Sequence, residues 1–329
     1  MKATIIGGGT WGSAFGVHLG RLNIETQLWI REQDIYEEAR RSRENKVFLP
    51  GIIFPSSVSF FNEFEEALRS TGIVFIAVPS KFYRQIYEKI APFLAPEQII
   101  VSLTKGIEED SLKRMSEIME EVLPSNSRIA VLSGPCFAKE VIEEHPTAVV
   151  IASEDLKLAR KIQHFVSSFY FRGYASQDII GVELCGALKN VIAIAAGISN
   201  ALKFGHNAMA ALITRGLTEM TRLGLKLGAE SQTFAGLAGM GDLVLTCTGE
   251  LSRNHYVGVE LGKGKSIEEI TSKMKMIAEG ITTTLSTYQL AAREKVEMPI
   301  CEKVYQVLYE NKDPKLALQE LLSRRLKDE

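Results

Sequence analysis

Lys2-Ala3-Thr4-Ile5-Ile6-Gly7-Gly8-Gly9-Thr10-Trp11-Gly12-Ser13-Ala14-Phe15 is the stretch that decides the fold. Lys2–Ile6 reads as a short β-strand, and the run from Thr10 to Leu22 has helical patterning, so the glycines form a strand-to-helix turn. Gly7, Gly9 and Gly12 make a Gly-x-Gly-x-x-Gly string. Such a string alone is weak evidence, but between a first strand and a first helix it points to a dinucleotide. Gly7 permits the tight turn, Gly9 lets a pyrophosphate approach the backbone, and Gly12 lets helix and strand pack closely. The helix N-terminus adds N–H donors and a partial positive charge.

Outward from that turn, Thr26–Ile30, Gly72–Val78, Gln98–Thr104, Arg128–Ser133 and Thr147–Ala152 read as further strands. Several are apolar on both faces, as in Ile73-Val74-Phe75-Ile76-Ala77-Val78, which suits a parallel sheet covered by helices on both sides. Helical segments lie between them, at Gln33–Arg43, Ser80–Pro92 and Asp110–Leu123. The alternation predicts an α/β, Rossmann-like, doubly wound and mostly parallel sheet. Past Tyr174 the pattern becomes helical, with segments at Asp178–Leu202, Asn207–Leu227, Ser252–Gly262, Ser266–Met276, Thr283–Lys295 and Pro299–Glu310. Ser266 with Glu269 forms a capping box. The expected division is a dinucleotide-binding domain over 1–178 and an all-α substrate domain over 179–329. The C-terminal Ser323–Glu329 reads as a solvated tail.

Composition sets the outer limits. The chain has 329 residues, 46% hydrophobic and 24% charged, with a formal net charge of −2. That excludes wholesale disorder and any basic field that would draw nucleic acid or an anionic membrane. Cys136, Cys185, Cys247 and Cys301 show no metal-knuckle spacing, and neither do His18, His145, His164, His206 and His255, so no metal is expected. The stretch Val191–Leu202 lies between Lys189-Asn190 and Lys203 and falls short of the ~20 residues a bilayer needs. With no cleavable signal pattern at Met1-Lys2, the expectation is a cytoplasmic protein without stable membrane insertion.

Cofactor choice is read at the end of the second strand, where Leu28-Trp29-Ile30 is followed by Arg31 and Glu32. A cation there pairs with the 2′-phosphate of NADP. Arg31 therefore favours NADP, with NAD still open. In an open parallel sheet ligands bind along the C-terminal strand ends, which draws in Lys105 after the fourth strand and Gly134-Pro135-Cys136 after the fifth. Lys189 is the most informative residue. It is the only charge between Glu183 and Lys203 in an apolar helix, and lysine is rarely buried without a partner or a task. Desolvation suits such an amine to proton transfer. Cys185 and Gly186, one turn earlier, leave room for a ligand ring or a partner backbone. The glycines of Phe234–Asp242 suggest a tight loop presenting Asp242. Ser252 reads as an N-cap, putting Arg253 and Asn254 in a first helical turn. An arginine there opposes the helix dipole unless an anion is bound beside it. His255, next to that turn, reads as solvated or structural.

Together these motifs resemble the bacterial-type NAD(P)-dependent glycerol-3-phosphate dehydrogenases over nearly the whole chain. The resemblance rests on Gly7–Gly12, Phe48-Leu49-Pro50, Ala77-Val78-Pro79-Ser80, Lys105-Gly106, Ser133-Gly134-Pro135, Gly181-Val182-Glu183-Leu184, Ala187-Leu188-Lys189-Asn190-Val191-Ile192-Ala193, Ala211–Gly216, Gly236–Thr248 and Ser252-Arg253-Asn254. It implies interconversion of dihydroxyacetone phosphate and sn-glycerol 3-phosphate, feeding glycerophospholipid synthesis, in a cytoplasmic homodimer. Lys189 matches the catalytic lysine. Lys105, Gly134, Cys136, Lys189, Asp242, Ser252, Arg253 and Asn254 match substrate-contacting positions. Gly7, Gly9, Thr10, Trp11, Gly12, Arg31, Lys105, Ala138, Arg253, Ile277 and Glu279 match positions that hold NADP or NAD. Three residues depart from the pattern: Cys136 for Ser or Thr, Thr10 for Ser, and Cys185 for Gly. The chemistry expected is hydride transfer to a ketone, with Lys189 as proton donor oriented by Asp242, Lys105 adding positive charge, and Arg253 with Asn254 gripping the phosphate. A hydroxyacid or ketopantoate reductase would want a carboxylate-binding group and need not carry Gly239-Met240-Gly241-Asp242 or Ser252-Arg253-Asn254, and a non-catalytic dinucleotide-sensing module would need the glycine turn but not a lysine set in an apolar helix.

Overall fold

The computed structural model describes residues 1–123, 128–274 and 278–323. Within it the chain forms two compact units: Met1–Lys105 with Met115–Ile179, and Gly106–Arg114 with Ile180–Glu329. The short segment Gly106–Arg114 thus belongs with the second unit although the sequence places it inside the first.

The first unit carries eight strands: β1 Ala3–Ile6, β2 Thr26–Trp29, β3 Val58–Phe61, β4 Ile73–Ile76, β5 Ile99–Ser102, β6 Ile129–Ser133, β7 Thr147–Ala152 and β8 Phe171–Ser176. They make one sheet in the order β3-β2-β1-β4-β5-β6-β7-β8. Every pairing is parallel except β6 with β7. The order reverses beside β1, the switch point at which such sheets bind ligands. β1, β2, β4, β5 and β6 are buried along their whole length, which is why their sequences read as continuous apolar runs. β3 and β8 lie at the two sheet edges and alternate buried with exposed residues. That broken hydrophobic signal hid both from the sequence reading.

Seven helices connect these strands: α1 Thr10–Arg21, α2 Gln33–Ser42, α3 Phe64–Leu68, α4 Tyr83–Ile90, α5 Met115–Val122, α6 Ala138–Ile142 and α7 Leu156–Val166. The expected helix from Asp110 begins only at Met115, because Gly106–Arg114 turns back on itself through a bridge between Ile107 and Arg114. His18 of α1 is fully buried in this unit's core, its Nε2 2.7 Å from the Val166 carbonyl and its Nδ1 2.8 Å from the Tyr170 hydroxyl. A carbonyl only accepts, so Nε2 carries the proton and Nδ1 accepts from Tyr170.

The second unit contains α8 Ile179–Ala201, α9 Gly205–Lys226, α10 Ser231–Ala235, α11 Asp242–Thr248, α12 Arg253–Gly262, α13 Ile267–Thr271, α14 Glu279–Glu294, α15 Pro299–Tyr309 and α16 Pro314–Leu322. α8 is its core. By length and composition this 23-residue helix could cross a membrane, but 83% of its most apolar window is buried within the protein. Taken from Val191, the apolar stretch is shorter than this helix, which begins at Ile179 and carries Glu183 and Lys189 within it. α8 crosses α12 at backbone contact distance: a Cβ on Gly258 would come within 2.0 Å of the Ile194 oxygen, and one on Gly197 within 2.1 Å of the His255 oxygen. The segment Gly106–Arg114 is fastened here by an Arg114–Glu183 ion pair of 2.7 Å and a Ser286 hydroxyl donating to the Ile107 carbonyl at 3.2 Å. The expected capping box at Ser266 and Glu269 is present on α13. The tail Arg324–Glu329 lies outside the described residues.

Candidate functional site

The site residues of the first unit gather at the β1–α1 turn and along the C-terminal strand ends. Gly7 has φ +123°, and a Cβ there would meet the Ala77 oxygen at 2.5 Å. A Cβ on Gly12 would meet the Gly7 oxygen at 2.0 Å and the Ala77 Cβ at 3.2 Å. Both glycines are therefore required by the protein's own packing. Gly9 is different. It caps α1 at φ −70° and ψ −179° without a side-chain hydrogen bond, and a Cβ on it would meet nothing within 4 Å. A glycine that no protein atom requires, at the mouth of a helix N-terminus, fits a phosphate-bearing ligand brought against the backbone. Thr10 opens α1, and the half-buried Trp11 sets its ring 5.7 Å from Phe15. The residues present fit a dinucleotide.

Arg31 stands just past β2. Its exposed guanidinium pairs with Glu32 and lies 5.7 Å from the centre of the Phe82 ring, with the Lys81 ammonium 4.8 Å from the same ring. Two cations beside one aromatic ring make surroundings suited to a phosphate. Ala138 is the first residue of α6 and packs partly against the core. Lys105 donates to the Gly134 carbonyl at 2.8 Å and lies 3.7 Å from the Cys136 sulfur, which itself donates to that carbonyl at 3.1 Å. Gly134 has φ +135°, and a Cβ would press on the Val149 and Ala148 backbone. Lys105, Gly134 and Cys136 thus form one cluster whose polar centre is a main-chain oxygen.

The second unit holds Lys189. It is 6% exposed, on the helix whose apolarity singled it out, and Asp242 is 1% exposed. Its ammonium donates to the Asp242 carboxylate at 2.5 Å and to the Thr246 hydroxyl at 2.9 Å; Thr246 in turn donates to the Asp242 carbonyl at 2.6 Å. A buried ammonium held by a buried carboxylate keeps a charge the core would otherwise expel. Cys247, beside the pair, has its thiol pushed up to about 12 by burial, with Asp242 adding to the rise and Lys189 opposing it; it stays protonated. The expected tight loop before Asp242 is instead a π-helical turn, Leu237–Gly241, running straight into α11. Gly239 is required there because a Cβ would meet the Phe234 oxygen at 2.1 Å. Thr246, not singled out in the sequence, reaches Lys189 from α11, where it lies four residues after Asp242 on the same helix face.

Ser252 caps α12 by accepting from the His255 backbone N–H, so the predicted cap is present and the hydroxyl oxygen serves the helix. Arg253 follows it, exposed at the N-terminus of a ten-residue helix. Crowding by protein pushes its ionisation down, and the Glu279 carboxylate, in the first turn of α14, pushes it up. Burial likewise lowers His255, the neighbour read as solvated or structural. Asn254 is buried: its amide nitrogen donates to the Asn190 side-chain oxygen at 2.8 Å, and its oxygen accepts from the Gly280 backbone N–H at 2.9 Å. Ile277, expected at the cofactor, lies outside the described residues.

Two family models cover most of the chain: NAD-dependent glycerol-3-phosphate dehydrogenase N-terminus over residues 2–159 and its C-terminus over residues 178–319. The chain is 51% identical to the glycerol-3-phosphate dehydrogenase [NAD(P)+] of Citrifermentans bemidjiense over 330 aligned positions, covering 100% of this chain and 98% of the relative. It is 47% identical to that of Syntrophobacter fumaroxidans, covering 99% and 96%. Among solved structures, the glycerol-3-phosphate dehydrogenase of Coxiella burnetii superposes with a TM-score of 0.93 at 38% identity, covering 98% of this chain and 99% of that one.

Proposed function

The chain belongs to the NAD-dependent glycerol-3-phosphate dehydrogenase family, and from that premise we propose how its residues divide the work. The reaction is the reversible reduction of dihydroxyacetone phosphate to sn-glycerol 3-phosphate with NAD(P)H. The Gly7–Gly12 turn and the α1 N-terminus hold the cofactor's pyrophosphate, with Thr10, Trp11, Arg31 and Ala138 around it. Arg31, with Lys81 beside the Phe82 ring, favours the 2′-phosphate of NADP. Bound NAD(P)H supplies the hydride that reaches the ketone carbon. Lys189, as ammonium, gives the proton that the carbonyl oxygen needs as it gains charge, and as amine it takes that proton back in the reverse direction. Asp242 and Thr246 aim Nζ and keep it charged. Lys105 adds positive potential near the reacting oxygen. Arg253 and the first-turn N–H groups of α12 grip the phosphate, which turns remote binding energy into alignment of the carbon.

The observation that carries this reading is Lys189: one ammonium in an apolar 23-residue helix, 6% exposed and held by Asp242 and Thr246. A surface or snorkelling lysine would need neither partner. The test is oxidation of NADPH, with NADH run beside it, driven by dihydroxyacetone phosphate. Lys189→Ala should cut turnover by about 10²–10⁴ as removal of a general acid does, and wild-type turnover in that variant would sink the assignment. The same reading takes the enzyme as a cytoplasmic homodimer supplying glycerophospholipid synthesis. Light scattering on the purified protein checks the assembly.

A further inference from the structure

The far edge of the first unit, at α7 and β8, carries a surface that the chemistry above does not use. α7 turns Leu158, Ala159, Ile162 and Val166 into the core. Lys157, Arg160, Lys161 and His164 recur at the complementary spacing of three and four, and all are exposed, so the solvent face of the helix is a row of basic side chains. The helix itself contains no Asp or Glu. Asp155, its N-cap, has its carboxylate turned to the Lys157 backbone N–H. Among the described residues no carboxylate pairs with Lys157, Arg160 or Lys161. Exposed cations elsewhere on the chain are answered: Arg41 and Lys46 by Glu38, and Lys263 and Lys265 by Glu260.

Phe169 follows the end of that helix by three residues. It is 90% exposed, more than any other large apolar side chain among the described residues. The turn that presents it is firmly built. The Ser168 N–H donates to the Phe171 carbonyl at 2.8 Å, and the Ser168 hydroxyl oxygen accepts from the Phe171 and Tyr170 N–H groups at 3.0 and 3.3 Å. Tyr170 is buried with its hydroxyl on His18, and its ring stands edge-on to Phe169 with centroids 5.1 Å apart. The acids at this end, Glu143 and Glu144, are paired with Lys139 and Arg21.

We propose that α7 and the Ser168–Phe171 turn form a peripheral docking surface for an anionic lipid bilayer, with the basic row on the lipid phosphates and the Phe169 ring in the interface. The inference goes beyond the catalytic reading and does not depend on it. Charge and shape select the occupant. A row of unanswered cations needs a partner rich in anions. A second copy of this chain would set like charges against each other. A nucleic acid would take up the cations but leave a single projecting ring without a stacking groove. A bilayer offers phosphates together with a boundary at which aromatic rings settle, and its deformable surface requires no matched cavity. The net charge of −2 rules out an attracting field over the whole molecule. It does not cancel cations gathered on one helix face, because screening confines each charge to ~8 Å at physiological salt. Adsorption of this kind involves no membrane-spanning segment.

The test is co-sedimentation of the full-length protein with vesicles, either pure phosphatidylcholine or phosphatidylcholine mixed with anionic phosphatidylglycerol. The protein should bind the mixed vesicles, leave the pure ones in solution, and be released by high salt. Each cation near an anionic surface contributes about fivefold to partition, so Arg160→Gln with Lys161→Gln should weaken it about tenfold to thirtyfold. Phe169→Ser should weaken it about tenfold, as loss of an interfacial ring does. Phe93→Ser, at a ring 42% exposed elsewhere on the first unit, should change nothing. All these side chains face water, so melting temperature and turnover should stay at wild type and any loss of binding is read on folded enzyme. Failure to bind the mixed vesicles overturns the proposal, as does equal binding to both vesicle types or an equal loss in Phe93→Ser. Binding of single-stranded DNA that the Arg160 and Lys161 changes abolish and Phe169→Ser leaves intact would make the row a polyanion site and overturn the lipid assignment. Self-association that Phe169→Ser dissolves would make a second copy the occupant and overturn it too. The catalytic reading is untouched by any of these results and falls only if dihydroxyacetone phosphate is not reduced.

Discussion

Gly9 and Gly12 stand three residues apart in one turn, and substitution by alanine should separate cofactor binding from folding. At Gly12 the new methyl would sit 2.0 Å from the Gly7 oxygen and 3.1 Å from the Gly7 carbonyl carbon. Those are backbone atoms, so α1 must lift off β1. Overpacking of this kind costs about 1–3 kcal/mol or more. At Gly9 the methyl meets no protein atom within 4 Å, and φ −70° with ψ −179° is open to alanine. The only cost to the fold is a poorer N-cap, about 0.5–1 kcal/mol. The ligand experiences the reverse. A methyl on Gly9 pushes a pyrophosphate off the α1 N–H groups, and losing two charge-assisted hydrogen bonds at ~1.5–2 kcal/mol each weakens NADPH about 10²–10³-fold. Thermal unfolding without cofactor should show Gly9→Ala within a few degrees of wild type and Gly12→Ala well below it. Titration of NADPH fluorescence should show affinity collapsing in Gly9→Ala despite its intact fold. A Gly9→Ala protein that binds NADPH as wild type does would refute the placement of the pyrophosphate. One as unstable as Gly12→Ala would refute the steric argument.

Arg253→Ala should raise KM for dihydroxyacetone phosphate while leaving turnover of unphosphorylated dihydroxyacetone near wild type; equal losses on both substrates would remove Arg253 from the phosphate. His18 sets an acid limit on the first unit. Burial lowers its ionisation from 6.5 to about 4, outweighing the Val166 carbonyl that raises it, so the unfolded chain takes up this proton first as pH falls. The stability that His18 contributes by staying neutral is complete above pH ~6.5 and declines by about 3 kcal/mol as pH falls to ~4. Urea midpoints between pH 7.5 and 4 should fall less steeply in a folded His18→Gln variant. An unchanged pH slope would show that other groups carry the acid sensitivity.

Much of the first unit was legible because its central strands are apolar on both faces and its glycine turn has a fixed chemistry. The edge strands β3 and β8 were not, since half of each faces solvent and the signal thins. Lys189 declared itself by charge contrast with α8 and Ser252 by cap spacing, both local properties. Thr246 and the Asn190–Asn254–Gly280 bonds depend on which helices meet. The partners of Asn254 lie 64 and 26 positions away in the chain, and no periodicity encodes such distances. The glycine-rich Gly236–Gly241 misled for a physical reason: Gly239 marks a close approach to Phe234, and that approach occurs within a helical turn.

The assignment of Gly106–Arg114 to the second unit has a consequence for how this protein can be made and divided. A single cut near residue 179 would leave the C-terminal piece without the segment that answers Glu183 and Ser286, and the N-terminal piece with that segment parted from both. The two units are not interchangeable cassettes, and grafting the helical half onto another dinucleotide-binding half must carry these nine residues across. During synthesis Arg114 leaves the ribosome 69 residues ahead of Glu183. The second unit therefore takes in a nine-residue segment of chain made before the rest of it.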